Sequence, residues 1–486
     1  MGEGDAIGWL SVVPPLLAIA LALWTRQVFI SLAVGILSGY VILAGGNPLA
    51  GTRDAIDAIV AVFGSAGNTR IVVFTLLIGS LIALIQANGG VEGFVARILG
   101  RLEASSAKAS ARGQRVRVEL LAMATGLLLF IESNVSILTV GTLYRPLTDR
   151  LGVPREKLAY IADSSSAPSS VLIPLNAWGA FVAALLADQG VEGGFGVVLG
   201  SVAFNFYALA AVLGVFAVIL SGRDFGPMRR AEQRGTLLAE GAVPMVDESV
   251  SEVPVADGAP RRAANMLVPI AILVALVPTF LFVTGDASAP TAFARLQSGS
   301  GSSAVLYATT AAVIAAVVLS KAQGILGLRR SFDLVLKGMG GMLPLAILMV
   351  LAFAIGDVAD ALGTGAYVVS VTESWLSPAL LPALVFVIGA FVAFSTGTSW
   401  GTFAILIPIA VPLALATGTP LVVVVAAVMG GGVFGDHSSP ISDTSVISSM
   451  AAASDHIDHV RTQLPYALAA GIMAVNGYLV VGVLVT

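Results

Sequence analysis

Two short polar runs decide how this chain is read: Ala162-Asp163-Ser164-Ser165-Ser166-Ala167-Pro168-Ser169-Ser170 and Gly435-Asp436-His437-Ser438-Ser439-Pro440-Ile441-Ser442-Asp443. Each interrupts an apolar segment long enough to cross a bilayer, and they occupy corresponding places in the two halves of the chain. Carboxylates, hydroxyls and a proline at membrane depth are costly unless they line a site. Paired interruptions in two halves are the sequence pattern of a transporter binding site.

The composition agrees. Of 486 residues, 57% are hydrophobic and 11% charged, against about 25% charged in a soluble domain. The apolar runs are solid rather than alternating, as at 71–85 and 422–428. This argues against an outer-membrane barrel and for an all-α polytopic membrane protein. The absence of cysteine excludes disulfides and thiolate metal sites. Met1-Gly2-Glu3-Gly4-Asp5 lacks the basic region of a cleaved signal peptide, so the first apolar run is read as a retained helix. No basic, aromatic-interleaved patch points to nucleic acid; the expected partner is the lipid bilayer, and no cofactor is expected.

Spans are expected near 7–24, 28–45, 70–88, 195–220, 264–284, 303–320, 338–357 and 463–485, with broken stretches at 118–147, 157–187, 378–416 and 420–450. Reading 118–147 and 378–416 as re-entrant hairpins leaves all 25 basic residues except Arg53, Arg70 and Arg295 on one side of the membrane. By the positive-inside rule that side is cytoplasmic and both termini lie outside. A single crossing at 118–147 would instead set the basic loop 145–157 opposite the basic loop 101–117.

Each half, 1–221 and 263–486, then reads helix, helix, helix, hairpin, broken helix, helix: five transmembrane helices plus one hairpin, in an inverted repeat. The intervening segment 222–262 is charged and carries Pro244, Pro254 and Pro260. It reads as a cytoplasmic linker with little fixed structure.

Hairpin tips facing helix breaks would build a central cage of carbonyls, hydroxyls and carboxylates, the hard oxygen ligands that a small cation prefers. Asp436 and Asp163 are placed equivalently, each opening a break, with Asp443 and Glu132 as further acids and Na⁺ expected at Asp436, Asp163 and Asp443. Asn134, Ser164, Ser165, Thr396, Thr398, Ser438, Ser439 and Ser442 supply the remaining oxygens. In a dehydrated site a bare carboxylate favours the neutral acid and a bound cation favours the carboxylate, so H⁺ and Na⁺ compete for it. The plainer alternative is that either aspartate caps a half-helix.

His437 reads as a proton relay or a hydrogen-bonded filler. Asp455, His456, Asp458 and His459 read as a pH sensor or cation funnel, or as a solvated cluster at a helix entrance. Asp436, His437 and Ser438 contain the residue types of a hydrolase triad, but consecutive side chains diverge, and no His-Glu-x-x-His occurs. An enzyme is not expected. The leading function is Na⁺/H⁺ exchange across the cell membrane; the alternative is Na⁺-coupled movement of a small organic acid or amine.

Phe434-Gly435-Asp436-His437-Ser438-Ser439-Pro440-Ile441-Ser442-Asp443-Thr444, followed by Ser454-Asp455-His456-Ile457-Asp458-His459-Val460-Arg461-Thr462-Gln463-Leu464-Pro465-Tyr466, closely resembles the signature of the NhaC-type Na⁺/H⁺ antiporter family. The stretch 138–160 and Ile173-Pro174-Leu175-Asn176-Ala177-Trp178-Gly179 are similar to the same family. The resemblance implies a member of the ion transporter superfamily. It implies a homodimer with a scaffold domain, and an elevator-like mobile domain made of hairpins and broken helices. It also implies Na⁺ extrusion driven by proton entry. Related sequences carry paired acids at the first hairpin tip; here the pair is Glu132-Ser133, which leaves the ion count open.

Overall fold

The computed structural model describes residues 8–25, 27–94, 96–97, 110–130, 132–244, 255–256, 258–372 and 377–485. Residues 1–5, Arg26, Arg101 and Lys108 of the charge argument, and the middle of the linker, lie outside this set. The described regular elements are all helices. Among the described residues, nine helices are long and apolar enough to cross a membrane, or ten if the bent pair Arg155–Leu172 and Ala177–Asp188 is one span.

In the first half, α1 (Val13–Thr25) and α2 (Val28–Leu43) precede a short α3 (Pro48–Ala61) and the long α4 (Ala66–Ala87). Next come α5 (Ala111–Leu128) and α6 (Ser133–Arg150), then α7 (Arg155–Leu172) and α8 (Ala177–Asp188). The expected span 195–220 is two helices, α9 (Gly194–Ser201) and α10 (Phe206–Ser221). The side chain of Asn205 caps the second by accepting from the Ala208 N–H.

The linker carries α11 (Gly226–Arg234). The second half comprises α12 (Ala264–Thr284), α13 (Ala292–Gln297), α14 (Gly301–Ala322), α15 (Leu328–Ala361), α16 (Thr364–Thr372), α17 (Leu381–Thr396), α18 (Ser399–Thr417), α19 (Leu421–Ser438), α20 (Asp443–Ala452) and α21 (His456–Val485).

The described parts of the linker, 222–244, 255–256 and 258–262, have more fixed structure than the sequence suggests. Met228 of α11 is buried in the apolar cluster formed by α5, α6, α7 and α10. Lys157 lies 2.8 Å from Asp224 and 3.0 Å from Glu232, and Arg234 pairs with Glu156 at 3.0 Å. At the far end, the Ala256 N–H donates to the Ala87 carbonyl at 2.8 Å. A charged sequence that looks disordered in isolation is fixed here because its charges find buried partners. Arg112 and Arg115 of α5 and Arg150 at the end of α6 line one cavity with Lys157 and Arg223. The two outer ends of the α5–α6 pair therefore lie on the same face of the molecule, as a helical hairpin requires.

The main core is mostly aliphatic, with interspersed aromatic rings, and runs through α4, α8, α14, α15, α18 and α19. Without a hydrophobic driving force between helices in lipid, close approach at small residues supplies the packing. Gly79 of α4 and Gly338 of α15 are such a contact: a Cβ on Gly338 would sit 2.3 Å from the Gly79 carbonyl oxygen. Gly338→Ala must therefore separate the two helices, at a cost of roughly 1–3 kcal/mol for overpacking. Gly340→Ala, on the same helix, meets open space. In thermal unfolding of the detergent-solubilised protein, the first substitution is expected to lower the midpoint and the second to leave it unchanged.

Candidate functional site

Both helix breaks are built by the same four-residue device. In Ile173-Pro174-Leu175-Asn176 and in Ser439-Pro440-Ile441-Ser442, a proline ends one helix and a capping residue starts the next. Proline offers no N–H and pushes the preceding residue out of the helical region; Ser439 accordingly has φ −80° and ψ 135°. Asn176 accepts from the Trp178 and Gly179 N–H groups at 3.0 and 3.2 Å. Its amide N–H₂ faces the carbonyls of Ser170 (2.8 Å), Phe130 (2.9 Å) and Ile173 (3.2 Å). One side chain thus caps α8, closes the end of α7 and holds the turn between α5 and α6.

The second break is tied to the second turn by charge. Asp436, in the last turn of α19, accepts from Ser399 Oγ at 2.7 Å and from Ser442 Oγ at 2.5 Å. Ser399 opens α18 and Ser442 caps α20. Gly397 ends α17 with φ +70°, and a Cβ there would lie 2.6 Å from the Ile441 carbonyl. The turn after α17 therefore presses directly on the break loop, and only glycine fits both the conformation and the space.

Both turns and the second break open onto one cavity of about 370 Å³, lined among others by Glu132, Asn134, Thr396, Thr398, Asp436 and Asp443. Trp178 and Trp400, with ring centroids 5.3 Å apart, wall one side. Among the described residues lining it there is no Lys, Arg or His. Glu132 caps α6, with Oε2 accepting from the Val135 N–H at 2.7 Å. Asn134 Oδ1 is buried with no hydrogen-bond partner. Three carboxylates and an unpaired amide oxygen around one space, with no base to balance them, form an environment for a cation.

Asp163 does not occupy the position expected of it. It lies within α7, ten residues before the first break, so it does not open a helix break as Asp436 does. The serine-rich run 162–170 stays helical, and its hydroxyls are satisfied by the preceding turn: Ser165 donates to the Ile161 carbonyl at 2.7 Å and Ser166 to the Ala162 carbonyl at 2.7 Å. The residue three before the first break, where Asp436 sits in the second, is Ser170. Asp163 and Ser165 are fully buried and do not line the cavity. Asp163 Oδ2 accepts from Gln463 Nε2 at 2.7 Å, and Oδ1 has no partner.

His437 is clamped between Ser164 Oγ and the Tyr207 hydroxyl, each at 2.7 Å. Ser438 Oγ bonds the Phe434 carbonyl, and Ser439 Oγ accepts from the Ile441 N–H, so both are local caps. Asp455 accepts from the Val243 and Asp458 N–H groups, each at 3.0 Å. No cluster of three or more His, Asp or Glu arranged to hold a metal occurs among the described residues. Sequence reasoning missed Gln463, Tyr207, Trp178 and Trp400. Gln463 and Trp178 lie in the stretches that carry the family resemblance, but the roles of all four come from contacts with residues far away in the chain.

The conserved pattern of the Na⁺/H⁺ antiporter family matches residues 192–483. A Haemophilus influenzae relative described as an uncharacterized protein is 34% identical over 493 aligned positions, covering 97% of this chain and 90% of its own. The malate-2H(+)/Na(+)-lactate antiporter of Bacillus subtilis is 31% identical over 108 residues, 22% of this chain and 23% of its own. Among solved structures, the YdaH transporter of Alcanivorax borkumensis aligns with a TM-score of 0.59 at 14% identity, over 94% of this chain and 97% of that one; the fold is shared.

The chain has no cysteine, so single cysteines can report which positions the cavity exposes. Thr398→Cys is expected to react with small methanethiosulfonates, and Ser165→Cys to stay unmodified. With the carboxylates nearby, a cationic reagent should label Thr398→Cys on the order of 10-fold faster than an anionic one of the same size. Equal rates would mean that the acids do not set the potential of the cavity.

Proposed function

The chain belongs to the Na⁺/H⁺ antiporter family, whose members are membrane transporters rather than enzymes, and from this premise we propose that it exchanges Na⁺ for H⁺ across the cytoplasmic membrane by alternating access. The observation that supports this most directly is the cavity that gathers Glu132, Asp436 and Asp443 with no basic residue among its described lining. In this reading Asp436 is the principal carrier. Na⁺ would take its carboxylate together with the oxygens of Ser399 and Ser442, which already point at it. A proton would take its place when Na⁺ leaves, because an uncompensated carboxylate in a dry site favours the neutral acid. Asp443 and the Asn134 carbonyl complete the ligand set.

The matched breaks and turns support an inverted repeat in which 118–147 and 378–416 are re-entrant. We assign the mobile part to these hairpins and the broken helices, the scaffold and a homodimer contact to the first helices of each half, and both termini to the outside.

A second reading follows from the size of the cavity. About 370 Å³ falls within the usual range of small-molecule pockets, roughly 300–1,000 Å³, and exceeds what a bare ion needs. The two tryptophan faces beside three acids suit an organic cation or amine.

In proteoliposomes with an imposed pH gradient, added Na⁺ is expected to collapse the gradient. Asp436→Asn, nearly isosteric, should slow this by about 100-fold, the equivalent of roughly 3 kcal/mol. Exchange by Asp436→Asn at the wild-type rate removes Asp436 from the role. Collapse by labelled amines but not by Na⁺ moves the assignment to the second reading.

A further inference from the structure

The start of α21 holds a hydrogen-bond pattern that two neutral histidines cannot complete. Gln463 Nε2 donates to the His437 carbonyl and, at 2.7 Å, to Asp163 Oδ2. A carbonyl can only accept, so the amide N–H₂ is fixed on that side and Oε1 faces His459 Nε2 at 2.8 Å. His459 must therefore carry its proton on Nε2. At the other end, His456 Nε2 lies 2.7 Å from the Pro440 carbonyl, so it too must carry a proton.

Both Nδ1 atoms then converge on a single hydroxyl, Ser449 Oγ, at 2.9 Å from His459 and 3.0 Å from His456. One hydroxyl has one hydrogen. If both rings are neutral, at least one contact sets lone pair against lone pair. If the hydroxyl donates to the Ser445 carbonyl, 2.8 Å away, neither ring is served. Every arrangement that completes the pattern places at least one excess proton on the two imidazoles.

We propose that His456, Ser449 and His459 form a second proton-binding site, separate from the carboxylate cavity, whose occupancy sets the position of the break loop 439–442. His459 is buried and His456 partly exposed, so the excess proton resides on His456 and exchanges with water. The charged groups around the site are Asp455 and Asp458 on the same turn, and Arg155 of α7, which donates to the Ala453 carbonyl at 3.1 Å and pairs with Asp149 of α6 at 3.1 Å. Asp163 reaches the site through Gln463 and through Ser445, whose hydroxyl donates to Asp163 Oδ2 at 3.4 Å and whose carbonyl accepts from Ser449 Oγ. His437 of α19, whose carbonyl accepts from Gln463, faces His459 from the far side of that amide. The sole titratable residue of α20, Asp443, lies at its other end, on the cavity.

When the site is loaded, His456 holds the Pro440 carbonyl while His459 and Ser449 pin α20 to α21. Proton loss leaves two ring nitrogens competing for one hydrogen, and the clamp on Pro440 loosens. Pro440 is two residues from Ser442, whose hydroxyl holds Asp436. This last link rests on the reading of the cavity as the ion site.

The chain has three histidines, so histidine-selective ¹⁵N labelling resolves each ring. At pH 6 His456 is expected to show both nitrogens protonated and His459 the Nε2–H form. On raising the pH to 9, His456 should lose one proton and the His459 resonances should move with the same midpoint. In Ser449→Ala the two rings should respond separately. In wild-type protein, loss of the His456 proton with His459 unmoved overturns the shared site; His456→Gln, which should freeze the His459 signal against pH, makes the same test if Ser449→Ala does not fold. In proteoliposomes His456→Gln should flatten the pH dependence of exchange. Coupled spectra with an unaltered pH profile overturn the link to the cavity, whereas coupled spectra with no Na⁺-dependent exchange at all count against the antiporter reading and leave the proton site standing.

Discussion

A helix that stops inside a bilayer leaves N–H groups at one end and C=O groups at the other with no water to receive them. Two broken helices occur here, and polar side chains tie each break to the neighbouring turn. Asn176 does this with a neutral amide, bonding the start of α8, the end of α7 and the Phe130 carbonyl together. At the second stop Ser442 caps α20 and donates to Asp436, which in turn receives Ser399 from the turn between α17 and α18. The position of each turn is thus set by the need to satisfy a broken helix. A cavity between turn and break is the geometric result.

The chain handles buried charge in two contrasting ways. Near α11, Lys157 and Arg115 are surrounded by Asp224, Glu232 and Glu119, so every buried charge has a counter-charge within reach. Such a cluster holds structure in place, because removing one member would strand another. Around the cavity, by contrast, Asp436 and its neighbours are served by hydroxyls and backbone N–H groups but by no base among the described lining. Under the proposed exchange, a bound cation or a proton supplies the balance that the lining lacks. The difference between these two clusters, rather than acidity itself, is that the first carries its own counter-charges and the described lining of the second does not.

Much of this was legible in the sequence because lipid imposes length and polarity rules on single segments. The expectation of a helix over 264–284 coincides with α12, and the breaks at the second hairpin and at 439–442 were marked by glycine, proline and serine. What failed was the pairing of Asp163 with Asp436. Polar composition alone does not distinguish a serine run that interrupts a helix from one that stays helical with its hydroxyls bonded to the preceding turn. The discriminating signal was present as the shared order residue–proline–aliphatic–cap at 173–176 and 439–442. The helix α11 was hidden because its apolar side is only Met228 and Ala231, too small a stripe to read without its buried ionic partners. Gln463 sits in an otherwise ordinary helix, and its importance comes from His437 and Asp163, far away along the chain.

The two halves share geometry without sharing chemistry. The same four-residue device ends a helix in each, and each break bonds the adjacent turn. Three residues before the break, however, the first half has Ser170 and the second has Asp436. Ser170 spends its hydroxyl on the Ser166 carbonyl, whereas Asp436 brings a charge to the same relative depth. Matched breaks explain why the two turns converge on one space. The unmatched side chain places a carboxylate at the second break alone, while Glu132 of the first turn and Asp443 complete the acidic lining of the space they share.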